Sequence, residues 1–197
     1  MKKANEIKFS VNDINAIKNV SNEMQLFTIP GYVEITIDNE NITRQDGKKI
    51  LNDGRIIEIA LNCQIKLQDF IKSHDSYMKV DYGDYWQFIF TRKDDIVYFD
   101  IIDIIEKKYV LKDKKIHLKD FLREMLESAQ IIEKEILKNP FSRKFSVLKS
   151  FRVNMDANLY EAVEQKVFTE NEIEEMFKDY FKRDSLSDFV RWNYTTP

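Results

Sequence analysis

Two histidines, one cysteine and a scatter of carboxylates are the groups in this chain of 197 residues whose chemistry could be put to use. His74 and His117 are the candidates for a general base, because imidazole changes charge near neutral pH. They lie far apart, and neither belongs to an H-E-x-x-H pair or adjoins a nucleophile motif. Cys63 has no second cysteine, so neither an internal disulfide nor a cysteine-based zinc site can form within the chain. Its apolar neighbours predict a small buried hydrophobe with an inert thiol. With 4 glycines and 3 prolines, the chain offers no Gly-rich phosphate loop.

The carboxylates need closer reading, since a metal or glycosidase site can be built from them alone. Asp94 and Asp95 stand where a hairpin turn is expected, and Asp is favoured there because it hydrogen-bonds nearby backbone. Asp81, Asp84, Asp100 and Asp103 flank that hairpin, and pairing of Asp84 with Asp103 would make a small acidic rim. Such a rim suits Ca²⁺ or Mg²⁺, but the D-x-[DN]-x-[DN]-G-x₅-E loop is absent. No metal and no cofactor are expected.

Aromatic residues gather beside these carboxylates. Tyr77, Tyr82, Tyr85 and Trp86 lead into the hairpin, and Trp86, Phe88 and Phe90 share one face, which places them in the core. Tyrosines exposed next to Asp84 would have the composition of a binding hot spot, with carboxylates to steer a basic partner. Tyr82, Asp84, Tyr85, Asp94 and Asp95 are therefore the candidate partner-binding residues. A second candidate is the lysine-rich stretch 107–119, with Lys107, Lys108, Lys112, Lys114, Lys115 and Lys119. It opens a block, 107–152, of net charge +7 between neighbours of −5 each. That is an electrostatic footprint for nucleic acid, yet only Tyr109 interleaves with it, and a solvated connector is the simpler reading.

The elements that must position these groups follow from periodicity. Tyr32 to Asp38 alternates Val33, Ile35 and Ile37 with polar residues, a half-buried strand with its turn at Asn39 to Asn41. Ile56, Ile57, Ala60, Leu61, Leu67, Phe70 and Ile71 predict a helix over 55–73. Two runs of β-branched and aromatic residues from Trp86 to Ile102, joined by a polar turn at Arg92 to Asp95, predict the hairpin. Leu118, Phe121, Leu122, Met125, Leu126, Ala129, Ile132, Ile136 and Leu137 predict an amphipathic helix of about six turns, ended by Asn139-Pro140. Three short helices follow, over 154–168, 169–183 and 185–193, the second opened by the capping box of Thr169 and Glu172.

The fold class is thus α+β. A mostly antiparallel sheet carries the long helix on one face, and a C-terminal group of short helices follows. The polar stretch 139–153 divides an α+β domain, 1–139, from a helical segment, 154–197, packed upon it. No apolar run approaches the roughly 18 residues of a membrane span, and no apolar segment follows the basic start. Together with the lone cysteine this predicts a cytoplasmic protein.

The order of "GYVEITIDNENITR", a helix, "YWQFIFTRKDDIVYFDI" and "KIHLKDFLREMLESAQIIEKEIL" resembles the layout of small bacterial immunity-type proteins, over residues 31 to 138. The resemblance implies a non-enzymatic cytoplasmic protein that binds and blocks a toxin domain through an acidic or aromatic surface. An enzyme built on the histidines and carboxylates, and a nucleic-acid binder built on 107–119, are the alternatives.

Overall fold

The computed structural model describes residues 5–12, 14–45, 48–49 and 54–181. Strand β1 (Glu6–Val11) and two short helices, α1 (Ile14–Asn19) and α2 (Glu23–Phe27), lead into β2 (Pro30–Ile37). In β2 the expected alternation is present, with Val33, Ile35 and Ile37 buried and Tyr32, Glu34 and Thr36 half-buried. Asp38 and Asn39, both at positive φ, turn the chain into β3 (Glu40–Asn41), so the turn sits one residue earlier than expected and Asn41 belongs to a strand. Asp and Asn are among the few residues that tolerate that backbone region. Further short strands follow: β4 (Arg44–Gln45), β5 (Lys48–Lys49) and β6 (Gly54–Arg55). β1, β3 and β6 all pair antiparallel with β2 to make the first sheet. Gly31 permits this assembly, because a Cβ there would overlap the carbonyl of Ser10 in β1 and the side chain of Ile56.

Helix α3 (Ile56–Lys72) matches the periodicity and buries Ile56, Ile57, Ala60, Cys63, Leu67, Phe70 and Ile71. A four-stranded antiparallel meander follows: β7 (Asp75–Tyr82), β8 (Trp86–Lys93), β9 (Ile96–Asp103) and β10 (Lys108–His117), in the order β10-β9-β8-β7. The expected hairpin is β8–β9, but its turn is only Asp94-Asp95, since Arg92 pairs with Val97 and Lys93 with Ile96. The lysine-rich connector is itself strand β10, an edge strand with two irregularities of register.

One face of this second sheet is apolar. Phe88, Phe90 and Phe99 stack and tilt against each other and against Phe121 of α4 (Leu118–Leu137), with the Phe90 and Phe121 rings 5.0 Å apart. The other face carries the half-buried Ile89, Thr91, Tyr98 and Ile102 and the exposed Tyr77 and Lys79. Helix α4 is buried on more sides than its amphipathic pattern suggests. It touches β1, α3, β9 and β10 as well as α5 (Ser146–Glu164), so Glu124, Ser128, Gln130 and Glu133 are buried with the apolar stripe.

Helix α5 begins at Ser146, well before the Asn154 at which a short helix was expected. Residues 139–153 are correspondingly ordered. Asn139 is buried and donates from Nδ2 to the carbonyls of Ile17 (2.6 Å) and Val20 (2.9 Å), while Phe151 is 1% exposed. Farther along α5, Asn158 donates from Nδ2 to the carbonyl and side-chain oxygens of Gln64 in α3.

Helix α6 (Glu170–Phe181) opens on the expected capping box, with the Thr169 amide donating to Glu172 Oε2 at 2.9 Å and the Glu172 amide to Thr169 Oγ1 at 3.3 Å. The third expected helix, 185–193, lies outside the described residues. Lys119 of α4 reaches Glu172 Oε1 at 2.6 Å, and this hydrogen bond, with those from Thr169, holds the Glu172 carboxyl down at about 2. A carboxylate depressed in the folded state contributes stability above its unfolded value, near 4.5, and that contribution is lost as pH falls through about 2. The expected result is that α6 loosens from α4 in this acid window. Glu172→Gln should remove the acid dependence at modest cost at neutral pH, because the pair is exposed. Hydrogen exchange of the α6 amides against pH checks it, and equal acid profiles for the two proteins would refute the assignment.

Candidate functional site

The five residues singled out by sequence do not form one surface. Asp84 and Tyr85 lie in the turn between β7 and β8, and Asp94 and Asp95 in the turn between β8 and β9, at the other end of the sheet. Eight residues of β8 separate them, roughly 25 Å at strand rise.

Tyr82 is a correction. It is 1% exposed, because the pleat of β7 directs Met78, Val80 and Tyr82 to the apolar side. Its ring stacks on Phe88 at 5.2 Å and its hydroxyl donates to the Gly31 carbonyl at 3.4 Å, so it joins the second sheet to β2 of the first.

Asp94 and Asp95 expose their carboxylates, while their backbone is built into the fold. The Asp94 amide donates to the His74 carbonyl, and the Asp95 carbonyl accepts from the Leu118 amide that opens α4, each at 2.8 Å. The Asp94 carbonyl accepts from Nε of Arg92 at 2.8 Å. Arg92, 1% exposed, also donates from Nη1 to the carbonyl of Ile71, near the end of α3, and its Nη2 lies 3.4 Å from His74 Nδ1. Burial pushes the guanidinium pKa down, and Asp95 and Asp94 pull it back up. A helix leaves its last carbonyls without intrahelical partners. Arg92 supplies one, and it ties the turn to α3.

The other end of the sheet is different. The Ile104 amide donates to the Tyr85 carbonyl at 2.8 Å, which holds the β7–β8 and β9–β10 turns side by side. Asp103 Oδ1 accepts from the amides of Ile105 (2.9 Å) and Glu106 (2.8 Å), an Asx-type turn that fixes the second loop. Glu106 in turn pairs with Lys108. A loop fixed in this way holds its apolar side chains outward. Tyr85 is 53% exposed, Ile104 38% and Ile105 66%, with the carboxylate of Asp84 also exposed. Behind them Trp86, half-buried, keeps its indole N–H buried with no hydrogen-bond partner among the described residues.

No protein-family model, curated protein or solved structure matches this chain. Ile104 and Ile105 escaped the sequence reading, although a signal was present. In "IIDIIEKK" the alternation that explains Ile101 inward and Ile102 outward breaks at Asp103, and two adjacent isoleucines cannot both face a core from one strand.

The remaining candidates are dispersed or already engaged. His74 precedes β7 and His117 ends β10, so the two lie at opposite edges of the second sheet. The acidic rim is held by N–H donors: Asp81 accepts from Gln87 Nε2, Asp100 from the Asp113 amide at 2.6 Å, and Asp103 from its own loop. Among the described residues no group of three His, Cys, Asp or Glu side chains could hold a metal ion. Cys63 is buried in α3, and burial pushes its thiol up to about 12 against the opposing charge of Lys66. A thiol so far from ionisation is a poor nucleophile. The lysines of β10 are spread over several partners: Lys114 meets Glu40 at 3.0 Å, Lys112 lies over Tyr109 and Lys115 over Tyr98. Among the described residues no helix is long and apolar enough to cross a membrane.

Proposed function

We propose that the protein is a non-enzymatic binding protein of the immunity type, and that it blocks a toxin domain with the paired turns at one end of the second sheet. The observation that supports this reading is the exposure of Tyr85, Ile104 and Ile105 together beside Asp84, on loops held by their own hydrogen bonds. A rigid aromatic and aliphatic cluster loses little conformational entropy on docking, and exposed apolar side chains gain from being covered. A carboxylate at its rim steers a basic partner. The partner surface that fits is an apolar pocket with a basic edge. Asp94 and Asp95, at the far end, do not belong to this surface.

The test is affinity capture from the native cells with the wild-type chain and with Tyr85→Ala/Ile105→Asp. Wild type should retain one stoichiometric protein carrying a toxin or nuclease domain, and the variant should lose it by about a hundredfold or more in Kd, since two hot-spot positions are removed. Its melting temperature should be unchanged, because both side chains already face water. Equal capture by both proteins would overturn the assignment of the surface.

A further inference from the structure

We infer that the free edge of β7 is a self-association surface at which a second copy of this chain adds its own β7, antiparallel, centred on Tyr77. This is independent of the toxin-binding reading, because it uses the middle of β7 and not the turn at its end.

Among the described residues β7 is the outer strand of its sheet, paired to β8 on one side only. The direction of its unpaired backbone is marked by Lys66 of α3, whose Nζ donates to the Lys79 carbonyl at 2.6 Å, so the Lys79 peptide groups face outward from the sheet. With the strand period of two, those of Asp75, Tyr77 and Asp81 face the same way. Alongside runs a groove of about 380 Å³ between the strand and α3, lined by Ile65, Lys66, Asp69, Tyr77, Met78 and Lys79. Tyr77 is 62% exposed and Ile65 49%. An exposed sheet edge is the arrangement that accepts an added strand.

Charge selects the occupant. In an antiparallel pair with Tyr77 opposite its own copy, Asp75 of each chain stands opposite Lys79 of the other, so both exposed pairs are complementary. Centring on Asp75, Lys79 or Asp81 would place like charges opposite each other. In the Tyr77 register the incoming Asp75 amide replaces Lys66 Nζ at the Lys79 carbonyl. Exposed lysines on an edge normally discourage pairing. Here the acidic partner for each lysine is supplied by the same strand of the second copy, as a twofold contact requires.

Sedimentation velocity on the full chain, over a wide range of concentration, tests the inference. The expected result is a monomer–dimer equilibrium that Asp75→Lys and Lys79→Asp each weaken by about tenfold in Kd, and that the double reversal restores. Both positions are exposed, so the variants should keep the far-ultraviolet dichroism of wild type. A single monomeric species throughout would overturn the proposal. So would a dimer indifferent to both single reversals, or a double variant as weak as either single one.

Discussion

Tyr82→Ala should destabilise the protein by about 3–5 kcal/mol, the usual cost of deleting a large aromatic side chain from a packed interior. The ring is enclosed by Phe88, at 5.2 Å, and by the backbone at Gly54, where an added Cβ would come within 3.0 Å of the tyrosine ring. Its removal leaves a cavity at the joint between the two sheets and strips the Gly31 carbonyl of a donor. Tyr82→Phe keeps the packing and loses only the hydroxyl contact, so about 0.5–1.5 kcal/mol is expected. Tyr85→Ala, only three residues away but exposed, should stay within about 0.5 kcal/mol of wild type. Urea denaturation of the three variants at constant m-value separates these cases. A Tyr82→Ala midpoint equal to that of Tyr85→Ala would mean that the ring is not part of the core.

Arg92→Met is the second large effect, expected at about 3–5 kcal/mol because it removes the charged donor of two hydrogen bonds to backbone carbonyls, at about 1.5–3 kcal/mol each. Methionine fills much of the same volume, so the loss comes from polar groups rather than from a void. The carbonyl of Ile71 would remain buried with its guanidinium donor gone, at about 1–3 kcal/mol, and the part-buried Asp94 carbonyl would lose the second bond. Arg92→Lys should recover little, since the three donors of an ammonium sit on one nitrogen and cannot span α3, the turn and His74 as the three nitrogens of the guanidinium do. Hydrogen exchange should show where the loss falls. The amides of Asp94 and Leu118, which bond across this corner, should open first. If Arg92→Met unfolds at nearly the wild-type urea concentration, the network carries no stability and the interpretation fails.

Neither residue's place follows from a short-range pattern. The sequence offers Tyr82 as a binding residue through its neighbour Asp84, on the condition that its ring is exposed. The decisive fact is parity along β7, where the strand runs unbroken to Tyr82 and keeps it in step with Met78 and Val80. The pattern puts Arg92 in a polar turn with Lys93, Asp94 and Asp95. A buried arginine in step with Phe88 and Phe90 is recognisable only once acceptors are known to wait for it, and the buried one, the Ile71 carbonyl, comes from the end of α3, 21 residues earlier in the chain.

What the amino-acid sequence determined by itself was local. The alternation in β2, the hairpin of β8 and β9, the helices α3 and α4 and the capping box of α6 each arise from the spacing of apolar side chains or from a cap within a few residues, and each formed as its periodicity requires. The tertiary structure decided what depends on distant partners. It buried nearly every side of α4, because β1, α3 and α5 all converge on it, and it turned the lysine-rich connector into an edge strand paired with β9. It also put Asp84 and Tyr85 at one end of the sheet and Asp94 and Asp95 at the other, and it set Ile104 and Ile105 beside Tyr85 through a single amide-to-carbonyl bond. The composition of a binding surface can be read along a chain, but its membership is fixed by strand length and register, which bring together residues that no short-range pattern connects.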